Sequence, residues 1–314
     1  MSFKHLSILL VGTLAAAGAA FGYTMPTLAP YDALISVDHG GTAIIPGTFH
    51  VNAGIGYWSA SKMWDADGES WDDDAKPTAI LVPIDLGYAF NEFLLADVTV
   101  EIDGPSYKGV NATTGAEETF STFGLGDVWV KGRYLFPGGN GWTYGPRLGV
   151  KIPVGKVDDE SGKPDLGDDQ MDIDVAAVGA MDNESLMFKF NGQLGFRYRM
   201  KRTLTIELPP PLEPVDVDYV PGMMIYTHLE PGIALGDGKF RIFIPIGYET
   251  SMAAKLDDET VDKSETSMLY AGLGPRYRLD ENNDLGLKLF YPVMGANVEQ
   301  AMYFTLNYEA FIKF

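Results

Sequence analysis

The sequence predicts an all-β protein, a transmembrane, antiparallel, up-and-down β-barrel of about 12 strands. Three observations carry that expectation. Apolar and polar residues alternate with a period of two in segment after segment, which places them on opposite faces of strands. The connections alternate between tight polar turns and long acidic stretches. Aromatic residues recur at the ends of the apolar sets, where a membrane-spanning strand meets the lipid interface. A soluble β-sandwich shares the first feature but has no reason to alternate its loop lengths. A closed barrel also satisfies every backbone group in lipid.

Composition narrows the alternatives. The chain has 314 residues, 46% of them hydrophobic, with 36 Gly, 17 Phe, 16 Tyr and no Cys. Mean hydropathy is −0.02, and beyond the N-terminus no apolar run approaches the roughly 20 residues of a spanning helix. The absence of Cys excludes a disulfide framework. A net charge of −20 argues against nucleic acid as a partner. The start "MSFKHLS", with Lys4, leads into the apolar "ILLVGTLAAAGAA", and Gly18, Ala20 and Gly22 offer small residues for cleavage. That layout is a signal peptide over residues 1–22, so the protein is expected to be exported to the cell outer membrane. Residues 23–46 show no clean alternation and read as a periplasmic lead or a segment folded into the lumen. The barrel is expected over 47–314.

In chain order, strands are expected near 47–59, 78–90, 93–103, 120–136, 142–155 and 171–181. The next six are expected near 186–200, 222–236, 239–252, 267–279, 285–295 and 300–314. The fifth sets Trp142, Tyr144, Leu148, Val150 and Ile152 against Thr143, Arg147 and Lys151. The seventh sets Phe188, Leu194, Phe196 and Tyr198 against Lys189, Gln193, Arg197 and Arg199. In the ninth, Phe240, Ile242, Ile246 and Tyr248 oppose Arg241, Phe243 and Glu249. In the tenth, Leu273, Tyr277 and Leu279 oppose Tyr270, Arg276 and Arg278. The last, "AMYFTLNYEAFIKF", alternates to a terminal Phe314, the kind of residue that barrel-assembly machinery reads.

Tight turns fall at 91–92, 137–141, 182–185, 237–239 and 280–284. Between them lie long acidic connections such as "SKMWDADGESWDDDAKP" and "KLDDETVDKSE", while the one around 296–299 is short. The stretch "KRTLTIELPPPLEPVDVD" reads as a stiff loop because of its consecutive prolines. Short turns and the C-terminus are expected on the periplasmic side, and the acidic connections outside, facing lipopolysaccharide and its divalent ions.

From about residue 120 onward the chain resembles the outer-membrane transporter family labelled as the phenol-degradation meta-pathway protein family. The resemblance lies in "FGLGDVWVKGRYLF" and "PRLGVKIPVGK", at Gly124, Gly126, Asp127, Lys131, Arg133, Tyr134, Lys151, Pro153 and Gly155, with Val154 where the family carries Thr. It implies transport of small, often hydrophobic or aromatic compounds.

The polar faces of the strands form the candidate site. Their basic members are Lys131, Arg133, Arg147, Lys151, Lys189, Arg197, Arg241, Arg276, Arg278 and Lys288. Their acidic members include Asp97, Glu101, Asp127, Glu230 and Glu249, with Trp129 and Phe243 among the aromatic ones. Rings of charge set pore selectivity, so Arg133, Arg147, Arg241, Arg276 and Lys288, all near short turns, suggest a basic constriction. The competing reading is that opposite charges pair and hold a narrow barrel rigid. His50 and His228 are expected to face the lumen as hydrogen-bonded histidines. The loop "DADGESWDDD" lacks calcium-loop spacing, and no metal or cofactor site is expected.

The function expected is a channel for a small solute, not an enzyme. The alternatives are a closed structural or adhesive barrel with acidic loops, and a hydrolase with a nucleophile beside His50 or His228.

Overall fold

The computed structural model describes residues 46–110, 115–157, 163–182, 187–206 and 215–313. The proposed signal peptide, most of the segment 23–46 and Phe314 lie outside the described residues. Twelve antiparallel strands close into a barrel. They are β1 (Thr48–Trp64), β2 (Thr78–Ala89), β3 (Leu94–Val110), β4 (Gly124–Tyr134), β5 (Trp142–Ile152) and β6 (Asp172–Asp182). The circuit continues with β7 (Phe188–Arg199), β8 (Met224–Leu235), β9 (Phe240–Phe243 and Ile246–Ser251), β10 (Thr266–Arg278), β11 (Asn283–Ala296) and β12 (Val298–Lys313). Each strand pairs with the next in sequence, and β12 pairs with β1 from Thr48↔Lys313 to Trp64↔Val298, so no edge remains.

The expected strands are all present, with four differences. First, the long connections are partly β-structure. Ser70–Asp72 folds back on β1, and Glu117–Ser121 continues along β3. Second, Arg202–Ile206 pairs with Val215–Val220, so the stretch expected as a stiff loop is a hairpin whose arms "TLTI" and "VDVDYV" carry the β-branched alternation of strands. Its prolines lie outside the described residues. Third, β9 is interrupted at Ile244 and Pro245, where proline has no N–H for the ladder. Fourth, β11 begins at Asn283, which turns Asp284 from an expected turn residue into a wall residue, and the last connection is Asn297 alone.

Exposure divides the wall as the alternation predicts. Outward residues such as Ile55, Leu148, Leu194 and Val175 are all more than 50% exposed. Trp58 and Arg147, inward on two of the same strands, are at most 2% exposed. So large and continuous an apolar surface has its place in lipid. At the short-turn end the outward rings of Phe49, Tyr88 and Phe90 touch in series, as do those of Phe93, Tyr134, Phe136 and Tyr144, building an interfacial girdle.

The wall is staggered. Paired residues followed around the circuit run from His50, near the start of β1, through Gly87, Asp97, Lys131, Gly149, Asp174, Arg197 and Met224 to Ser251 at the far end of β9. Such a climb is the shear that tilts the strands of a closed barrel. Residues at one depth of the lumen are therefore not paired residues, and long side chains reach across two or three strands to meet.

Candidate functional site

The lumenal face is built from residues two apart on twelve strands; of the residues expected there, Lys131, Arg133, Arg147, Lys151, Lys189, Arg197, Arg241, Arg276, Lys288, Asp97, Glu230, Glu249 and Phe243 are buried, and Glu101, Asp127, Trp129 and Arg278 are partly buried. Its aromatic wall rests on glycines. On consecutive strands, Tyr226 is paired with Gly195, Phe243 with Gly232, Tyr270 with Gly247 and Phe290 with Gly272. A Cβ on Gly195 or Gly247 would lie 2.2 or 2.1 Å from the partner ring, so each ring lies flat over the bare backbone of its neighbour. Tyr226, Phe243, Tyr270 and Phe290 are thereby packed to no more than 2% exposure, and Trp58 and Tyr303, paired with each other, are as deeply buried.

Many of the charged residues are joined in ion pairs. Glu230, fully buried, lies 2.6 Å from Lys288, 3.2 Å from Arg276 and 3.1 Å from His228. His228 Nδ1 is also 3.2 Å from the Tyr270 hydroxyl. Arg147 donates to Asp174 at 2.7 Å, to Gln193 at 2.7 Å and to the Tyr226 hydroxyl at 2.5 Å. Arg197 joins the same carboxylate at 3.4 Å and lies over the Trp129 ring at 4.4 Å. Arg241 pairs with Asp284 at 2.6 Å, Arg278 approaches the same carboxylate at 3.8 Å, and Arg276 lies over Phe243 at 4.5 Å. Arg133 pairs with Asp97 at 3.3 Å. Lys131 donates to Thr99, which donates to Asp85. His50 bonds Glu309 at 2.8 Å. Lys189 and Glu249 are buried on the same face.

The basic residues near the short turns lie in two groups, on β4 and β5 and on β9 to β11, as members of ion pairs rather than as a bare basic ring. The physical reason is desolvation. A buried guanidinium or ammonium is tolerated only beside a counter-charge. The sequence reading overlooked several of those partners. Asp172 and Asp174 were legible in "MDIDVAAVG", where they alternate with Ile173 and Val175. Asp284 was hidden in a run of turn-forming residues.

The glycine-rich motif has a structural role. Between Val100 and Ile102 on β3, the opposite strand carries Gly126 and Asp127, a β-bulge. A Cβ on Gly126 would lie 2.4 Å from Asp103 Oδ2, so glycine makes room for that carboxylate. Asp127 Oδ1 accepts from the Gly155 N–H at 3.1 Å, and Lys151 stands 3.8 Å from Asp127 and 3.2 Å from Asp172 while also bonding Asp168. The motif residues therefore join β4, β5 and the connection that follows β5 at the long-loop end of the lumen.

The fold is that of outer-membrane β-barrels. The COG4313 outer membrane channel from Pseudomonas putida F1 superposes with a TM-score of 0.69 at 11% identity, over 86% of this chain and 97% of that one. The translocator domain of the autotransporter NalP from Neisseria meningitidis gives 0.49 at 13% identity, over 88% of this chain and 91% of that one. The CymD monoaromatic hydrocarbon channel gives 0.43 at 8% identity, over 86% and 90%. No curated protein sequence matches the chain. The resemblance carried by the glycine-rich motif extends through nearly the whole barrel: residues 36–308 match the family described as "Putative MetA-pathway of phenol degradation", and the chain belongs to that family.

Proposed function

We propose that this protein is an outer-membrane channel that passively admits a small solute, aromatic or hydrophobic in character, with lumenal basic and aromatic residues setting its selectivity. The observation that carries the reading is the lumen itself, in which an aromatic wall lies beside a circuit of hydrogen-bonding charges. Trp58, Tyr270, Phe290 and Tyr303 form a closely packed apolar wall, and guanidinium groups stack on lumenal rings at Trp129 and Phe243. Such slots suit a planar ring. The family description names phenol degradation, and the barrel from Pseudomonas putida is described as a channel; both agree with this reading. Its surroundings are outer-membrane lipid and lipopolysaccharide, reached through the barrel-assembly machinery.

A second reading has support of its own. The ion pairs and the nearly inaccessible lumenal rings suit a closed scaffold whose acidic loops carry the function. For a hydrolase, the groups beside the histidines are Glu309 and Asp85 at His50, and Glu230 and Tyr270 at His228.

Single-channel recording of refolded protein separates the first two. Discrete openings are expected, with ion selectivity that shifts when Arg147, Arg241 and Arg276 are replaced by Ala. Folded protein that stays silent, with or without an aromatic solute present, would establish the closed scaffold instead.

A further inference from the structure

Lumenal charge is unevenly distributed along the strands, with ion pairs such as Arg147–Asp174 joining the two groups. Toward the long connections lie Asp103, Asp127, Asp172, Asp174 and Glu249, with Glu101 at mid-strand and Lys151, Arg197 and Arg199 among them. Toward the short turns the balance inverts. On one side of the wall Lys131, Arg133, Arg147 and Lys189 accompany Asp85 and Asp97. On the other side Arg241, Arg276, Arg278 and Lys288 accompany Glu230, Asp284 and Glu309.

Pairing does not remove this polarity. In the basic half, like charges are direct cross-strand neighbours at Arg133↔Arg147 and at Arg241↔Arg276. These two arginine pairs sit on β4/β5 and β9/β10, on nearly opposite sides of the closed circuit. In the acidic half, the bulge at Gly126 places Asp103 Oδ2 against the residue next to Asp127. Like charges held directly opposite one another oppose folding, so stability alone does not account for the two arginine pairs of the basic half.

We propose that the lumen is a bipolar filter, an acidic half and a basic half in series, that passes uncharged organic solutes while retarding ions of either sign. The inference rests on the channel reading above and names its substrate class. Low-dielectric walls focus the field of each half. A cation is concentrated by the acidic half and repelled by the basic one, and an anion meets the reverse. An uncharged solute meets neither barrier. The same series arrangement makes ionic current depend on voltage sign, because one polarity draws both ions toward the junction and the other empties it.

The test is the current at equal and opposite voltages through single channels of the full chain, with folding verified by heat-modifiable gel migration. In about 0.1 M KCl, where the screening length is about 10 Å, the two currents are expected to differ about twofold or more, and in about 1 M KCl, where it is about 3 Å, to converge. A Glu101→Gln, Asp103→Asn variant is expected to become anion-selective. A Lys189→Gln, Arg278→Gln variant is expected to become cation-selective, and both are expected to rectify less. Either variant suffices if the other fails to fold. Open channels with equal currents at low salt, or variants that shift selectivity in the same direction, overturn the bipolar filter and leave the channel intact. Silence of the folded wild type removes the channel reading and this inference with it.

Discussion

Asp168 shows how one side chain ties a connection to the wall. Burial pushes its carboxyl upward, but Lys151, Arg199 and Arg202 outweigh that and hold it below the usual aspartate range. A depressed folded value means that its ionisation stabilises the fold above the unfolded value of about 3.9 and that this contribution is lost as pH falls through the folded value. Asp168→Asn is therefore expected to lower stability at neutral pH. Its side chain is 35% exposed, so solvent screening limits the loss to under about 1 kcal/mol. Urea unfolding of wild type and variant in lipid vesicles should show a difference at neutral pH that shrinks below about pH 3.9. A gap that persists or widens in acid would assign the effect to something other than this charge. Lys151 was recognisable in the sequence as a lumenal base. That it gathers Asp127, Asp168 and Asp172 was not, because Asp127 stands on a strand far earlier in the chain than the other two.

Between elements, the fit of glycine to aromatic ring governs how β7 to β11 lie together. Glycine is disfavoured within strands, yet here each one is the seat of a buried ring on the adjacent strand. Gly247→Val would place a Cβ 2.1 Å from the Tyr270 ring. Displacing that ring from a packed lumen is expected to destabilise the barrel by about 1–3 kcal/mol, measured as a lower urea midpoint. An unchanged midpoint would mean that the ring has room to move aside. Strand faces were readable in advance because a slip of one residue would turn every apolar side chain inward. Strand ends were less so. Beyond the lipid the alternation loosens into "SKMW" or "YKGV", and only hairpin pairing shows that β1 and β3 extend that far.

At the scale of the molecule, Glu230 is a hub. It stands on β8 and binds Arg276 of β10 and Lys288 of β11, with Asn191 of β7 at 3.4 Å. Removing its charge leaves two buried cations with less compensation, and losing one partner of a buried pair typically costs about 3–5 kcal/mol. Glu230→Gln is accordingly expected to lower the urea midpoint far more than Lys263→Gln, which breaks the exposed Lys263–Asp67 contact of 3.0 Å. Equal effects would mean that the hub contributes no more than a surface pair. The stagger of the wall makes such a hub possible, because it brings the middle of β8 level with residues nearer the start of β11.

The sequence by itself determined that the chain forms a barrel, how many strands it has and which face of each meets lipid, with many but not all of the residues on the opposite face. A period of two is local and survives without knowledge of any partner strand. Which charges meet was decided by the tertiary structure alone. Pairing across a sheared wall depends on the register of several strands at once, and no single segment encodes that sum. The same holds for the glycines under the aromatic rings, and for the uneven spread of acid and base along the lumen.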